Sequence, residues 1–423
     1  MSISLIFVAI LAFYLAFNLG ANDVANAMGT SVGSKAVTLK QALIIAGVLE
    51  FTGAVLFGHE VTQTLATNVA NPQLFINTPK LLLTGMVSVL IACGLWLQIA
   101  TSRGLPVSSS HAVVGAIAGF SWVAVGVNAI DWFSIRLITI GWVCTPVISG
   151  VIAALFYSQI QRWILQQKNQ ITQLNEWIPW LSVALISTFG IIVLPTLTHP
   201  FQYLLIEKFG LQIPTNQISL FTGSVAVFGL TVYSWRQLAK VEKKDEPGED
   251  NNQSIEKVFA KYQLLSACFV AFAHGSNDVG NAIAPLAAIT YIMKTKNVPI
   301  GEIEIPLWIL VLGAVGIVTG LAILGKNVIA TIGESIITLQ PSSGFCAELA
   351  TATTILLASR LGLPVSTSHA LVGGVVGIGL VQDFKLVKFS TLKNIAAAWL
   401  LTVPISAGLS AIVFLLMKTI FNF

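Results

Sequence analysis

The chain has 423 residues, of which 55% are hydrophobic and only 9% charged. Soluble globular domains carry about 25% charged residues, so the composition argues against a soluble enzyme or binding module and for a polytopic all-α membrane protein. The formal net charge of +4 gives no reason to expect nucleic acid as a partner.

Apolar runs of about 18 residues or more mark spans. The first, Ile3–Asn18, has neither a basic n-region nor an A-x-A exit, so it is read as a span and not as a removable signal. Full spans are expected at 3–28, 41–58, 134–157, 178–196, 216–236, 259–293, 306–325 and 393–418. Residues 82–125 and 343–383 differ. Each holds two apolar arms around a Gly-Leu-Pro-Val-Ser turn. Proline lacks an amide donor and disfavours helix at the residue before it. Both regions are therefore expected to be re-entrant helical hairpins with tips inside the protein. The total is eight full spans plus two hairpins, or twelve helical elements.

Five full crossings separate the start of the first motif pair from the start of the second. An odd number inverts one relative to the other, giving two inverted repeats (1–158 with hairpin 82–125, and 259–423 with hairpin 343–383). Residues 159–236 are connecting spans. Segment 237–258 is a linker, and its stretch VEKKDEPGEDNNQS (Val241–Ser254) is hydrophilic and of mixed charge. Placing the linker in the cytoplasm puts Lys35, Lys40, Arg162, Lys168, Arg236 and Lys240 among the inside residues, and satisfies the positive-inside rule. Both termini are then extracytoplasmic, in a plasma (inner) membrane. Cys93, Cys144, Cys268 and Cys346 lie in apolar segments without CxxC spacing and are expected to be buried apolar residues.

Two polar words each occur twice. GANDVANA (Gly20–Ala27) returns as GSNDVGNA (Gly275–Ala282), and GLPVSSSHAVVG (Gly104–Gly115) returns as GLPVSTSHALVG (Gly362–Gly373). Hydrocarbon penalises polar groups, so words kept twice in the same order suggest one site built from two halves. In the first word, Asn22 and Asn26 share a helix face with Asp23 beside them; Asn277, Asp278 and Asn281 repeat the pattern. Carboxylate and amide oxygens are hard ligands suited to Na⁺, and a carboxylate can instead carry H⁺. Interhelical hydrogen bonding alone would explain one copy better than two.

In the second word, Ser108, Ser109 and Ser110, and Ser366, Thr367 and Ser368, follow Pro106 and Pro364. Proline favours the first turn of a helix, so the hydroxyls open each hairpin's second arm. Free N–H groups and the helix dipole attract an anion there. Simple capping explains one serine per word but not three. His111 and His369 are expected to fix the hairpins by hydrogen bonds. A Ser–His nucleophile fits poorly, because three successive hydroxyls define no unique one. His274 precedes the second Asn-Asp word, where the first half has Leu19. Glu50 and Glu348 are further acids in apolar segments and must be partnered or carry protons.

Two ionised aspartates would oppose an anion. At ~6 Å and an effective dielectric of ~20, each repels it by about 3 kcal/mol. A cation between them, or protonation, removes the conflict and makes symport the natural reading. No G-x-x-x-x-G-K-[ST] motif is present to drive an ATP-dependent pump.

GANDVANA, AHGSNDVGNA, GLPVSSSH and GLPVSTSH, in this order, resemble the PiT family of inorganic phosphate transporters over nearly the whole chain. The resemblance implies a non-enzymatic phosphate importer coupled to Na⁺ or H⁺, with no other cofactor, homodimeric in the bilayer. Sulfate permease activity on the same fold is the alternative. The resemblance implies phosphate contacts from Ser108, Ser109, Ser110, Ser366, Thr367, Ser368, Asn22 and Asn277. It implies cation contacts from Asp23, Asn26, Asp278 and Asn281, with Asp23 and Asp278 as the Na⁺ ligands. Glu50 and Glu348 match acids that family members need for transport. Many animal members carry a further acid in the first hairpin's first arm, where this chain has Met86.

Overall fold

The computed structural model describes residues 3–105, 107–198, 217–242, 251–332 and 337–421, together with Tyr203 and Lys208. Among these residues the regular structure is helical, and the only strand-like pairing is an Ala70–Ile130 bridge. The first half comprises α1 (Ile3–Gly33), α2 (Leu39–Phe57), α3 (His59–Thr67), α4 (Pro79–Ser102), α5 (Ser109–Val125) and α6 (Trp132–Ile160). Next come α7 (Gln170–Ile192) and α8 (Gln217–Glu242). The second half comprises α9 (Asn251–Thr295), α10 (Leu307–Ile332), α11 (Pro341–Arg360), α12 (Thr367–Gln382) and α13 (Phe389–Phe421).

Local chemistry sets the boundaries. Thr38 and Gln41 form a capping box at α2. Asp131 accepts from Phe133 N and Ser134 N at the start of α6. Pro79 and Pro341 open α4 and α11, where a missing N–H costs nothing. The two hairpin turns use the same stop. Gly104 and Gly362 adopt φ of 64° and 65°. Leu105 N reaches back to Ala100 O at 2.9 Å, and Leu363 N to Ala358 O at 3.0 Å, so each turn is a Schellman-type close that needs a left-handed residue.

Helices α1, α2, α4, α6, α8, α10 and α13 contain segments long and apolar enough to cross a membrane. The chain is thus a multi-pass, all-α membrane protein, and its exposed apolar residues on α6, α8 and α13 (Val143, Val147, Phe221, Phe228, Leu400, Leu416) face outward. The helix pairs expected at 82–125 and 343–383 are present as α4–α5 and α11–α12. Helix α4, expected only as a hairpin arm, is itself of spanning length and hydropathy. Helices α7 and α9 are diluted by polar residues, α9 most of all because it carries the second Asn-Asp word.

The expected linker 237–258 is narrower than its charge suggests. Helix α8 runs on to Glu242, and α9 starts at Asn251; the rest of the stretch lies outside the described residues. The early start of α9 has a physical cause. Ile255, Val258, Phe259 and Tyr262 are buried against Phe345, and Glu256 caps α11 by accepting from Ser342 N (2.8 Å) and Ser342 Oγ (2.7 Å). Helix α3 was not foreseen; it is short, and its apolar face is no more than Val61, Leu65 and Ala66. Cys93 and Cys346 are buried as expected, but Cys144 is exposed on the outer face of α6 and Cys268 is half-buried.

Packing occurs in duplicate. Helix α1 lies on α10 as α9 lies on α2; α4 lies on α1 as α11 lies on α9. Each hairpin's second arm leans on a helix of the other half, α5 on α13 and α12 on α6. The close approaches match. A Cβ on Gly20 would sit 2.0 Å from Ile317 O, and one on Gly275 would sit 2.1 Å from Glu50 O. Only glycine lets these backbones touch.

Candidate functional site

Helices α1 and α9 carry the two Asn-Asp words to the start of α5 and α12. The words interleave across the halves. Asn26 Nδ2 donates to Ser368 Oγ at 2.8 Å and to Thr367 Oγ1 at 3.5 Å. Asn281 Nδ2 donates to Ser110 Oγ at 3.0 Å and to Ser109 Oγ at 3.3 Å. Each Asn also reaches its own aspartate, at 3.3 Å for Asp23 and 3.5 Å for Asp278. Thr367 Oγ1 donates to Asp278 Oδ2 at 3.2 Å. Asp23 and Asp278, together with His274, offer ligand atoms within 4.8 Å of one another, all buried. The two copies of each word therefore converge on one place.

The serine words divide their labour. Ser108 and Ser366 are N-caps, accepting from His111 N (3.4 Å) and His369 N (3.3 Å). Ser109, Ser110, Thr367 and Ser368 are the hydroxyls that face the Asn-Asp words. Asn22 and Asn277 point elsewhere. Asn22 Nδ2 donates to Thr101 Oγ1 (2.9 Å) and Asn277 Nδ2 to Ser359 Oγ (3.0 Å) and Leu363 O (3.2 Å), so both tie their helix to the end of the neighbouring hairpin arm.

Within the two Asn-Asp words the remaining polar atoms carry a chemical signature. Among the described residues, Asp23 Oδ2, Asn277 Oδ1 and Asn281 Oδ1 are buried without a hydrogen-bond partner. All three are acceptors. Buried acceptors lacking donors are costly unless a cation or a donor-bearing ligand supplies the missing contact.

The two coupling-acid candidates are not equivalent. Glu50 lies behind Asp278: His274 Nδ1 is 3.1 Å from Glu50 Oε1, and His274 Nε2 is 2.9 Å from Asp278 Oδ2. Glu348 stands apart from the convergent words. Its Oε1 accepts from Thr30 (2.7 Å), Ser31 (2.6 Å) and Gln263 (3.1 Å), and its Oε2 accepts from Ser266 (2.8 Å). Sequence reasoning passed over those four partners. Their signal is faint: Gln263 and Ser266 are three apart on one face of α9, and Thr30 and Ser31 close the polar run after the first word. Met86 is buried among apolar residues of α4.

Residues 19–410 match the phosphate transporter family. A Haemophilus influenzae protein assigned as a phosphate permease is 38% identical over 414 residues, covering 98% of this chain and 96% of that one. The inorganic phosphate transporter 2-1, chloroplastic, of Arabidopsis thaliana is 37% identical over 418 residues, 95% of this chain and 70% of the relative. The solved structure of a sodium-dependent phosphate transporter superposes with a TM-score of 0.87 at 38% identity, covering 98% of this chain and 99% of that one. The chain belongs to the phosphate transporter family.

Proposed function

We propose that this protein imports inorganic phosphate by symport with Na⁺. The single observation that carries the reading is the interleaving of four hydroxyls with two Asn-Asp pairs, drawn equally from both halves. Ser109 and Ser368 supply hydroxyl donors at two helix N-termini, as a tetrahedral oxyanion requires, and Ser110 and Thr367 join them when their protons leave Val365 O and Asp278 Oδ2. Asp23, Asn26, Asp278 and Asn281 supply hard oxygens to the cation, with Asp23 Oδ2 and Asn281 Oδ1 free to do so.

Na⁺ is favoured over H⁺ because Asn281 Oδ1, an amide oxygen of the convergent words, has no hydrogen-bond partner, and an amide oxygen binds a metal cation but carries no proton at neutral pH. The sodium dependence of the structural relative points the same way. The two halves act as inverted repeats with the site at the membrane midplane. Asn22 and Asn277 reach phosphate only if their bonds to the hairpin arms exchange during the cycle. Glu50 and Glu348 serve as coupling acids behind the site. The protein works as a homodimer with the linker and Lys35, Lys40, Arg236 and Lys240 in the cytoplasm and both termini outside.

Labelled phosphate uptake into proteoliposomes tests the reading, with an inward Na⁺ gradient, an inward H⁺ gradient or neither. Accumulation that needs Na⁺, and is competed by arsenate but not by sulfate, is the expected result. Accumulation driven by H⁺ alone would move the coupling to the carboxylates. Uptake of sulfate in place of phosphate would overturn the substrate.

A further inference from the structure

His111 and His369 sit one turn into α5 and α12, each 6% exposed. Their rings meet edge to face, with centroids 4.8 Å apart and planes at 83°. Each also lies against an indole. His111 is 3.8 Å from Trp142 and His369 is 3.7 Å from Trp399, centroid to centroid. The backbone bonds cross over. His111 Nδ1 is 3.3 Å from Trp399 O in the second half, and His369 Nδ1 is 3.1 Å from Trp142 O in the first. A carbonyl only accepts, so both Nδ1 atoms are donors. Trp142 Nε1 then donates to Pro364 O in the second hairpin's turn at 2.9 Å. Helix α6 thus grips the tip of the other half's hairpin.

We propose that His111, Trp142, His369 and Trp399 form a crossed clamp that fixes the separation of the two hydroxyl words, and that the two histidines are positioning residues for the oxyanion. Neither histidine touches the Asn-Asp words. Each directly follows a hydroxyl that does, Ser110 or Ser368, so a ring displaced by an ångström displaces the donor beside it. Packing alone does not account for imidazole at both positions. Nε2 of both rings is buried without a partner, a cost that a purely apolar side chain would avoid. What histidine adds is the N–H to the opposite half's carbonyl. The clamp rests on the phosphate reading, because it positions that site.

The test is a double-mutant cycle on phosphate uptake in proteoliposomes, with His111→Phe, His369→Phe and the pair. Phenylalanine keeps a ring for the indole and removes the N–H. Each single variant should raise KM for phosphate about 10-fold with Vmax changed by less than about two-fold. The pair should be no worse than the weaker single variant, because either break opens the same clamp. His111→Asn and His369→Asn, which place an amide N–H near the original Nδ1, should restore part of the affinity and also carry the test if the Phe variants do not fold. In detergent, phosphate should raise the melting temperature of the Phe variants less than that of the wild type. Unchanged KM in both single variants, or losses that multiply in the pair, would overturn the clamp. Absence of phosphate uptake by the wild type would overturn the functional reading and not the clamp's geometry.

Discussion

Around Asp23, α1 presents Leu19 one turn before the aspartate and packs on Ile317 of α10. Around Asp278, α9 presents His274 at the matching position and packs on Glu50 of α2. In the register that pairs Ser110 with Ser368, the counterpart of Glu348 is Leu90. The helix-to-helix contacts are duplicated and the chemistry is not. Glu348, with Thr30, Ser31, Gln263 and Ser266, lies toward the end of the bundle where α1 finishes and α9 begins, whereas Glu50 and His274 lie mid-helix beside Asp278. Identical halves would hold a ligand with equal energy from either side. The added polar groups break that equality, while the shared words keep one binding geometry.

The comparison breaks first at the aspartates. Asp23→Asn and Asp278→Asn should each cut Na⁺-driven phosphate uptake by ~100-fold or more, measured in proteoliposomes at matched protein content. Only Asp278→Asn should also lower the melting temperature by several degrees, because it strands His274 and Glu50 in the interior. Equal stability of the two variants would show that His274 and Glu50 do not lean on Asp278.

A smaller effect sharpens the asymmetry. His274→Leu with Glu50→Ile gives the surroundings of Asp278 the residues found around Asp23. Uptake should fall by about 10-fold, and the pair should be no worse than either single change, since the two groups act together. Full activity would make the asymmetry irrelevant to transport.

The packing should respond alike in both halves. Gly20→Ala and Gly275→Ala each place a methyl against backbone, and overpacking of this kind costs about 1–3 kcal/mol. Matching losses in melting temperature are expected; tolerance of one and not the other would show that the pseudo-symmetry fails at the interface.

The smallest expected effect separates caps from ligands. Ser108→Ala and Ser366→Ala should cost about 1 kcal/mol of stability and leave KM for phosphate unchanged, whereas Ser110→Ala and Ser368→Ala should raise KM with little change in melting temperature. A KM shift in the first pair would return the caps to the binding set.

Much of this was legible because polar residues in apolar sequence have few permitted uses. The repeated words located the hairpins, the start of each second arm and the convergence of Asp23 with Asp278. Side-chain direction was not legible. Three hydroxyls in a row look alike on paper, and only the helix start at Ser109 and Thr367 turns Ser108 and Ser366 into caps. Asn22 and Asn26 share a face, yet one tethers a hairpin arm and the other faces the opposite half. Glu348's partners were hidden because Thr, Ser and Gln at helical spacing are ordinary. Helix α3 and the first turns of α9 escaped because mixed polar sequence becomes helical there only through contacts from distant segments, such as Phe345 and Ser342.

Helix α9 runs unbroken for 45 residues, about 68 Å at 1.5 Å per residue, against a hydrocarbon thickness of about 30 Å. It cannot be contained in the bilayer. Its first turns hold the mouth of one hairpin through Glu256, its middle holds the aspartate, and its N-terminus joins the charged segment that links the halves. More than seven turns of helix separate Asp278 from Asn251, so the cap on the hairpin mouth and the aspartate of the convergent words ride on one lever.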